Sequence, residues 1–409
     1  MKILIVSQYF FPENFKINDL AVELKNRGHS VSVLTGIPNY PSGNFFKGYG
    51  YFKNRTEDYK GVFIRRSFII NRGSSSKIRL AINYLSFVIG ALIESFFLLG
   101  KKYDVIFVFE PSPITVCIPA IFIKKLRKIP ICLWVLDLWP ENVESVGKFK
   151  TRIIPKLLES LVRFIYQQTD SILVSSKGFI SSISSKNVSL KKIKYIPQWA
   201  EVIFRPVERK NNLFNKIPKS TFKIMFAGNI GDCQDFPSIL KAARILKNDI
   251  NIQWIIIGGG RKEQWVKKQV IKNKLGNTFH LLGSFPLEEM PKFYSEADCM
   301  ILSLKKEYIF SLTVPAKIQT YLACGKPIVA MVNGEAASII NEARVGLASP
   351  SENPKLFAEN IKSMSKLPKS DLHKMGTNAL HYYKSEFERS LIIKKIENVL
   401  ESESKKNFG

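Results

Sequence analysis

Short apolar runs alternate with amphipathic helical patterns along most of this 409-residue chain. Runs such as KILIVSQ, DVIFVFE and FKIMFAGNIG are apolar at nearly every position, which is typical of strands buried on both faces of a parallel sheet. Between them, apolar residues recur at three- and four-residue steps, which predicts helices. The alternation therefore predicts an α/β chain with two doubly wound parallel sheets.

The alternation is interrupted at residues 205–221, where RPVERKNNLFNKIPKST is polar and contains proline. We therefore predict a linker there, between a first domain at 1–204 and a second at 222–385. The last segment, 386–409, is predicted to be a helix that packs back on the first domain. Ligands of open parallel sheets bind outside the carboxyl ends of the strands, so we expect the chemistry at those edges, facing each other across a cleft.

The segment 80–100, LAINYLSFVIGALIESFFLLG, is nearly long enough to span a bilayer, which takes about 20 apolar residues. Its polar positions Asn83, Ser86, Gly90 and Glu94 form one narrow stripe on a helix. We reject a spanning helix, because it would put the strands on either side of it across a membrane from each other. Two alternatives stay open, a buried crossover helix and a helix that dips into a membrane face. Flanking basic residues favour the second.

The net charge of +27 indicates an anionic partner. Nucleic acid, an acidic lipid surface and phosphorylated small molecules all fit the charge, but no nucleic-acid reading motif accompanies it, so nucleic acid is disfavoured. The five cysteines lack the paired spacing of a metal site and predict reduced thiols. The amino terminus resembles a first strand rather than a signal peptide, which predicts a cytoplasmic protein.

The segment TVPAKIQTYLACGKPIVA predicts a short helix that begins at Pro315, ends at Gly325 and runs into a strand. Lys317 lies in the first turn, at the positive end of the helix dipole, so it is a candidate anion ligand; a solvated lysine is the alternative. Glycine clusters at 228–231 and 258–261 follow predicted strands, where glycine lets backbone approach a phosphate. Neither cluster makes the GxGxxG fingerprint, so a nicotinamide enzyme is disfavoured.

These segments resemble those of the GT-B glycosyltransferases, and specifically the large retaining family of the family-4 type, which builds bacterial surface polysaccharides from nucleotide sugars. TVPAKIQTYLACGKPIVA is similar to that family's P-S-K-x-x-E-Y-x-A-x-G-K-P signature, and FAGNIG and WIIIGGG support it. SQYFFPENFKINDLAVELKNRGHSVSVLTGIPNYPSG and DLWPENV look like a subgroup that includes O-antigen and capsule N-acetyl-L-fucosamine transferases. The resemblance implies a GT-B fold with two Rossmann-like domains facing a cleft.

On the donor side, the resemblance implies a set of binding residues: Gly228, Asn229, Gln234, Gly258, Arg261, Ser311, Thr313, Lys317 and Gln319. The first-turn lysine would meet the donor diphosphate. Gln319 and Ser311 stand where the family has the two carboxylates of its E-x7-E pattern, and a glutamine still accepts a hydrogen bond from ribose at a cost of about 1 kcal/mol. Asn229 and Gln234 stand at the family's arginine and lysine places, so Arg261 and the first-turn lysine would stabilise the leaving diphosphate without a metal.

On the acceptor side, VLDLWPEN places Asp137 and Glu141 after an apolar strand, where a buried carboxylate has a raised pKa and acts as a base. A turn or helix cap is the alternative for Asp137, and a solvent-exposed turn is the alternative for Glu141. Glu110 also ends a strand, and Glu13 lies in the loop FFPEN after the first strand. We predict these two as acceptor-side residues.

We therefore expect a retaining glycosyltransferase that moves a sugar from a nucleotide-diphosphate donor to a lipid-linked saccharide in O-antigen, capsule or exopolysaccharide synthesis. A UDP-sugar is the expected donor, with UDP-N-acetyl-L-fucosamine as the specific candidate. No cofactor or metal is expected. The expected partners are the donor, a polyprenyl-diphosphate-linked acceptor and an anionic membrane surface, which puts the protein peripherally on the inner face of the cell membrane. The alternatives are a GT-B nucleotide-sugar epimerase and a non-catalytic basic binding protein.

Overall fold

The computed structural model describes residues 1–73, 76–146, 153–210, 213–214 and 217–406. The chain divides into two compact units, one made of Met1–Ile196 with Ile393–Gly409 and the other of Pro197–Ile392. The division at 196/197 lies before the predicted linker, whose described residues group with the second unit. Each unit contains one α/β sheet, as the alternating pattern predicted.

The first unit contains a sheet of eight strands among the described residues: β1 (Lys2–Val6), β2 (Ser30–Gly36), β3 (Thr56–Tyr59), β4 (Val62–Ser67), β5 (Val105–Glu110), β6 (Ile131–Val135), β7 (Ser171–Val174) and β8 (Ile193–Tyr195). Their order is β3-β4-β2-β1-β5-β6-β7-β8. Every pair is parallel except β3 and β4, which are antiparallel. The strand order reverses between β1 and β5, and this switch point is where such sheets bind ligands.

The helices that cover this sheet are α1 (Lys16–Asn26), α2 (Lys77–Leu98), α3 (Cys117–Arg127), α4 (Glu141–Val146), α5 (Ile153–Gln168) and α6 (Gly178–Ser184). Crossovers between parallel strands are right-handed. Because the chain passes from β1 to β2 in one direction and from β4 through β5 and β6 to β7 in the other, α1 covers one face while α2, α3 and α5 cover the opposite face. Packing of α3 against both α2 and α5 agrees with this arrangement.

Helix α2 is long and apolar enough to cross a membrane by length and composition, with a mean hydropathy of 1.7. It packs on β2 and β4, and the strands that precede and follow it belong to one sheet. The argument from the sequence against a spanning helix is therefore confirmed.

The second unit contains a sheet of six described strands: β9 (Phe222–Ala227), β10 (Ile252–Ile257), β11 (Phe279–Gly283), β12 (Cys299–Ser303), β13 (Ile328–Met331) and β14 (Gly346–Ser349). All pairs are parallel, in the order β11-β10-β9-β12-β13-β14. Adjacent residues on β9 enter different cores, Ile224 on one side of the sheet and Met225 on the other. The continuous apolar runs arise from burial on both faces, and the switch point lies between β9 and β12.

The remaining helices are α7 (Phe236–Ile245), α8 (Glu263–Lys272), α9 (Met290–Glu296), α10 (Tyr308–Leu312), α11 (Ala316–Ala323), α12 (Glu335–Glu342), α13 (Pro354–Ser365), α14 (Lys369–Glu386) and α15 (Arg389–Lys405). Helix α11 starts one residue later than predicted, because Pro315 is its N-cap. Gly325 has φ +64° and ends it, as predicted. From Ile393 onward the chain groups with the first unit, where Glu397 on α15 accepts hydrogen bonds from Arg27 and His29.

Candidate functional site

The two glycine loops of the second unit, 228–231 and 258–261, contact each other directly at the carboxyl edge of its sheet. A Cβ atom on Gly258 would lie 1.9 Å from the carbonyl oxygen of Gly228, and one on Gly260 would lie 2.3 Å from Oδ1 of Asn229. The backbone N–H of Ile230 donates to the carbonyl of Gly259 at 2.7 Å. The sequence predicted glycines for close approach to a phosphate. In this structure the glycines at 258 and 260 permit close approach of one loop to the other.

Lys317 extends from the first turn of α11 across this edge. Its Nζ donates to Oε1 of Gln234 at 2.7 Å and lies 3.8 Å from the ring centroid of Phe226. Its stem covers Gly228, where a Cβ atom would lie 2.8 Å from Cε of the lysine. These contacts bring Gly228, Gln234 and Lys317 together beside the switch point. One helical turn later, Tyr321 donates to the carbonyl of Ile301 at 3.4 Å and holds α11 against the sheet.

Burial lowers the pKa of Lys317 to about 7, because a desolvated ammonium group is disfavoured. No carboxylate of the described residues pairs with this lysine. The carbonyl of Gln234 and the face of Phe226 are its electrostatic partners, and both carry partial charges only. An anion that enters this edge would supply the missing counter-charge and raise the pKa again. The lysine is therefore not a solvated surface group, the alternative that the sequence had left open.

Gln319 is buried, and its side chain turns back on the start of its own helix. In the orientation that satisfies the amide, its nitrogen donates to the carbonyls of Pro315 and Ala316 at 3.0 Å. An ionised glutamate at this position could not donate to either carbonyl. When the resembled signature is aligned on Pro315, Lys317 and Tyr321, however, its glutamate falls on Thr320 and not on Gln319, so the predicted equivalence of Gln319 needs correction.

The remaining predicted donor-side residues have local roles or are exposed. The hydroxyls of Ser311 and Thr313 donate to the carbonyls of Tyr308 and Ile309, at 2.7 and 2.8 Å. Arg261 is exposed, and so is Asn229. The structure does not join Arg261 to Lys317 by any contact among the described residues, and their joint action on a diphosphate stays a prediction.

The sequence did not indicate two buried polar groups near this edge. Ser303 ends β12, and its fully buried hydroxyl has no hydrogen-bond partner among the described residues. Asp235 has φ +46° and caps α7 by accepting from the N–H of Ser238. Neither lies in a pattern that sequence reasoning can recognise, because a lone serine after a strand and an aspartate before a helix are common.

In the first unit, Asp137 follows β6 at the carboxyl edge and is half-buried. Burial raises the pKa of Asp137 to about 7, and a hydrogen bond with Asn142 opposes the rise. A carboxylate with this pKa is suited to accept a proton near neutral pH. Glu141 differs, because its Oε1 accepts from Ser182 and from the buried Lys186, the latter at 2.6 Å. The alternative of a solvent-exposed turn at Glu141 is therefore wrong, and the contacts of Glu141 join α4 to α6 and to the residues just after α6.

Two predicted acceptor-side residues need correction. Glu110 is fully buried, and its two carboxyl oxygens have no hydrogen-bond partner within the described chain. Burial, followed by the charge of Asp137, raises the pKa of Glu110 well above its usual range. Its side chain points into the interior beneath the edge, so an acceptor cannot touch it in this conformation.

Glu13 is also buried, at 1% exposure, and therefore cannot contact an acceptor directly. Its carboxyl group accepts from the backbone N–H groups of Asn39 and Tyr40 at 2.8 and 2.7 Å, and from Phe10 at 3.3 Å. Burial raises the pKa of Glu13 to about 7, against the opposing effect of these three donors. Glu13 joins the loop after β1 to the loop after β2, and so acts on the edge by positioning them.

Sequence reasoning missed an arginine that lies among aromatic rings at the same edge. Arg72, in the loop after β4, donates to the hydroxyl of Tyr9 at 2.9 Å and lies over the ring of Tyr40 at 5.0 Å. Tyr84 hydrogen-bonds with Tyr9 and with Ser112, which lies two residues after the end of β5. Arg72 is half-buried, and these contacts place its positive charge at the carboxyl edge of the sheet. No local motif marks it, since its partners Tyr9 and Tyr40 lie in the loops after two other strands.

A cavity of about 740 Å³ in the second unit lies at the opposite edge of the sheet, beside Phe222 and Pro327 at the amino ends of β9 and β13. Arg209, Asp298 and Lys326 line it. Arg209 pairs with Asp298 at 2.5 Å, and Lys326 donates to the carbonyls of Ser295 and Ala297 at 3.0 and 2.9 Å, so these three charged groups already have partners. We assign no part of the donor site to this cavity.

Residues 208–382 match the family model described as "Glycosyl transferases group 1". Over 263 residues the chain is 30% identical to "Probable glycosyltransferase WbjE" of Pseudomonas aeruginosa, with 62% of this chain covered. The chain spans 65% of that relative's length. Over 345 residues it is 24% identical to "Putative colanic acid biosynthesis glycosyl transferase WcaI" of Escherichia coli K12, covering 80% of this chain and 82% of the relative.

Two solved structures share the fold. Sucrose-phosphate synthase from Thermosynechococcus elongatus superposes with a TM-score of 0.76 at 13% identity, covering 98% of each chain. Anabaena Alr3699/HepE in complex with UDP has a TM-score of 0.71 at 13% identity, covering 98% of this chain and 100% of that one. At these identities the likeness concerns the fold alone. The fold is GT-B, with two Rossmann-like domains, and the predicted fold class is confirmed.

Proposed function

Because residues 208–382 match the glycosyl transferases group 1 model, we propose that the chain belongs to that family and transfers a sugar from a nucleotide-diphosphate donor to a saccharide acceptor. The observation that carries the proposal is Lys317. It lies on the signature helix, beside the sheet's switch point, with its charge balanced only by partial charges. A donor diphosphate is the anion that this chemistry fits.

In the proposed reaction, the bond between the donor's anomeric carbon and its phosphate oxygen breaks, and an acceptor hydroxyl oxygen bonds to that carbon. The electron pair stays on the leaving diphosphate, where Lys317 stabilises the developing charge, with Arg261 as the proposed second cation. The hydroxyl proton passes to Asp137, whose pKa of about 7 fits a base at neutral pH. Glu141 is the weaker candidate base, because Lys186 already pairs with it.

We propose retention of the anomeric configuration and a uridine nucleotide in the donor. Retention rests on the resemblance of TVPAKIQTYLACGKPIVA to the signature of a retaining family. The uridine rests on HepE, whose structure contains UDP. UDP-N-acetyl-L-fucosamine is the specific donor proposed, on the resemblance of residues 7–43 and of DLWPENV to transferases of that sugar.

We also propose that the acceptor is a polyprenyl-diphosphate-linked saccharide of bacterial polysaccharide synthesis. WcaI, to which the chain is similar, is named for colanic acid biosynthesis. A lipid-linked acceptor is held at a membrane, so the proposed location is the inner face of the cell membrane, with the protein bound peripherally. The net charge of +27 supports this, because the cytoplasmic leaflet is anionic.

The test is nucleotide binding by calorimetry with UDP, GDP and ADP. Lys317→Met keeps the aliphatic stem over Phe226 and removes the charge, and it should weaken binding of the preferred nucleotide about 100-fold, the value of a charge-assisted contact to phosphate. Lys262→Ala is the matched control, because that lysine lies nearby and pairs with Asp232 at 3.1 Å. It should change affinity less than about threefold.

Absence of binding by all three nucleotides to the folded wild-type protein would overturn the proposal. Equal weakening by both lysine variants would remove Lys317 from the donor site. Transfer is separated from epimerisation by incubating the protein with a UDP-sugar alone. An epimerase would convert the sugar without an acceptor, whereas a transferase should release UDP quickly only when a lipid-linked acceptor is added.

A further inference from the structure

Helix α2 packs its polar stripe against the protein, together with the apolar residues Phe87, Val88, Ala91 and Leu98, and turns a second, apolar side outward. Asn83, Ser86 and Ser95 are buried. The outward positions are between 42% and 74% exposed, and they are Ile78, Ile82, Leu85, Ile89, Ile93, Phe96 and Phe97. A helix on the surface of a protein surrounded only by water has the opposite arrangement, with its apolar stripe toward the core.

Contacts on the inward side fix the rotation of α2 about its axis. Asn83 accepts from the side-chain amide of Gln8 at 2.9 Å and donates to the carbonyl of Ile70 at 2.5 Å. Glu94 pairs with Arg55 and with Arg65, each at 2.5 Å. A Cβ atom on Gly90 would lie 2.3 Å from the carbonyl oxygen of Phe68. The polar stripe seen in the sequence is therefore used inside the protein, and the apolar side cannot turn inward.

The exposed apolar surface continues from α2 onto its neighbours. Phe96 packs against Phe122 of α3 with ring centroids 5.2 Å apart. On α3, Lys125 lies over the ring of Phe164 on α5 at 5.6 Å. Together these helices form what we call the apolar face, which consists of the seven outward residues of α2 with Leu126, Ile153, Ile154, Leu157 and Phe164, all exposed.

Charges around the apolar face identify its occupant. The exposed basic residues at the ends of α2, α3 and α5 are Lys77, Arg79, Lys101, Lys102, Lys125, Arg127 and Lys156. Glu94 is the one acidic residue of α2, it points inward, and α3 has none. A second copy of this chain would bring a like-charged rim against this one, which opposes self-association. An anionic bilayer complements both the apolar surface and its rim.

We propose that the apolar face docks into an anionic lipid bilayer, with α2 lying in the plane of the interface. The long stems of the rim lysines and arginines let their charges reach the headgroups while the isoleucines and phenylalanines enter the acyl boundary. Helix α2 follows β4 and precedes β5, so it starts at the carboxyl edge of the sheet. The bilayer therefore runs alongside the edge that carries Arg72 and Asp137.

The link to a lipid-linked acceptor rests on the proposed function, but docking itself does not. The experiment is flotation with vesicles of phosphatidylcholine, alone or mixed with phosphatidylglycerol. The variant Leu85→Ser, Ile89→Ser, Ile93→Ser should lower the partition coefficient about 100-fold or more on mixed vesicles. The control variant is Ile245→Ser, Ile250→Ser, Ile271→Ser, three exposed apolar residues of the second unit, and it should float like the wild type. Binding to zwitterionic vesicles should be weaker by about fivefold for each engaged basic residue.

Depth is measured with an environment-sensitive fluorophore on Ile89→Cys in a Cys233→Ser background, since Cys233 is the exposed cysteine of the described chain. Mixed vesicles should shift its emission to the blue, and a label on Ile271→Cys should not respond. An unchanged label at 89, or flotation of the α2 variant like the wild type, would overturn the proposal. So would a wild-type dimer that this variant converts to monomer without any vesicle binding.

All variants are checked by thermal melting and by UDP binding. A protein that floats but binds no nucleotide would leave docking intact and defeat the proposed function. A protein that binds nucleotide but does not float would leave the proposed function intact and overturn docking. The serine variants remove exposed apolar groups only, so they should keep the wild-type melting temperature, and a variant that melts earlier is replaced by the single change Ile89→Ser.

Discussion

The carboxyl edges of the two sheets contain titratable groups of opposite sign, and burial acts on both in the same way. In the first unit, burial raises the pKa of Asp137 and of Glu13 to about 7. In the second, it lowers the pKa of Lys317 to about 7. Desolvation favours the neutral form of any group, so acids and bases converge near neutral pH. The edge of the first unit thereby has a proton acceptor. The edge of the second unit has a lysine whose charge a bound anion would balance.

The two edges differ in how many of their charged groups a ligand can reach. Glu13 and Glu110 lie in the interior of the first unit, whereas Asp137 is half-buried. In the second unit, Lys317 is half-buried and lies over Gly228, which is itself exposed. Asp137 at the first edge and Lys317 at the second are therefore the reachable groups whose pKa lies near 7, and the buried carboxyl groups of the first edge serve to position its loops.

The largest expected effect comes from removing the base at the first edge. Asp137→Asn should lower kcat by about 10²–10⁴-fold, the usual contribution of a general base. In the wild type at saturating donor, kcat should rise with pH through about 7, because only ionised Asp137 accepts the proton. That rise should be missing from the variant. The measurement is the pH profile of UDP release with the lipid-linked acceptor present.

Glu141→Gln is the matched control for this change. It leaves Lys186 buried without its carboxylate, so it should lower the free energy of unfolding by about 3 kcal/mol and leave the pH profile in place. If Glu141→Gln instead abolished the acid limb while Asp137→Asn kept it, the two roles would have to be exchanged.

The second prediction concerns the pH dependence of nucleotide binding at Lys317. Lys317 has a pKa of about 7 in the free protein, and a bound diphosphate raises it. Above pH 7 binding must then take up a proton, so affinity should fall by as much as about tenfold per pH unit. Calorimetry at about pH 8 in buffers of different ionisation enthalpy should show uptake approaching one proton.

The Lys317→Met variant should bind the nucleotide weakly and should take up no proton at this position. A wild-type affinity that is flat above pH 7, with no proton taken up, would mean that the lysine does not meet the diphosphate. The opposite trend, affinity that rises with pH, would contradict the direction that burial gives to this pKa.

Much of the fold could be predicted from the sequence, because burial on both faces of a parallel strand leaves a continuous apolar run. The same reasoning missed β3, since TEDY is polar and lies antiparallel at the sheet's edge. It also missed α12 and β14, whose segments are short. These elements depend on neighbours that are distant in the chain, and local patterns do not encode them.

The candidate site could be predicted only where a local signal marks a residue. Pro315 and Gly325 delimit a helix, and this delimitation identified Lys317. By contrast, Glu110 and Asp137 both follow apolar runs. The sequence alone does not show that the carboxyl group of Glu110 points into the core while that of Asp137 stays accessible. Arg72 lay outside any pattern, because the side chains that hold it come from loops after other strands.

The third and smallest prediction concerns that arginine. Arg72 is the half-buried cation held by Tyr9 and Tyr40 near Asp137's edge, where it would contribute an ionic contact to an acceptor that carries phosphate. Arg72→Ala should raise KM for the lipid-linked acceptor about threefold to tenfold and leave kcat and UDP affinity nearly unchanged. Steady-state kinetics with varied acceptor give the three values.

Tyr9→Phe separates an ionic role of Arg72 from a structural one. It removes the hydroxyl that accepts from Arg72 at 2.9 Å but keeps the ring that stacks on Phe15, with centroids 4.8 Å apart. If Arg72 binds the acceptor itself, this variant should raise KM less than Arg72→Ala does, and Arg72→Lys should recover part of the loss. If instead Arg72→Ala lowered kcat and UDP affinity together, the arginine would act on the structure of the whole edge, and its assignment to the acceptor would fail.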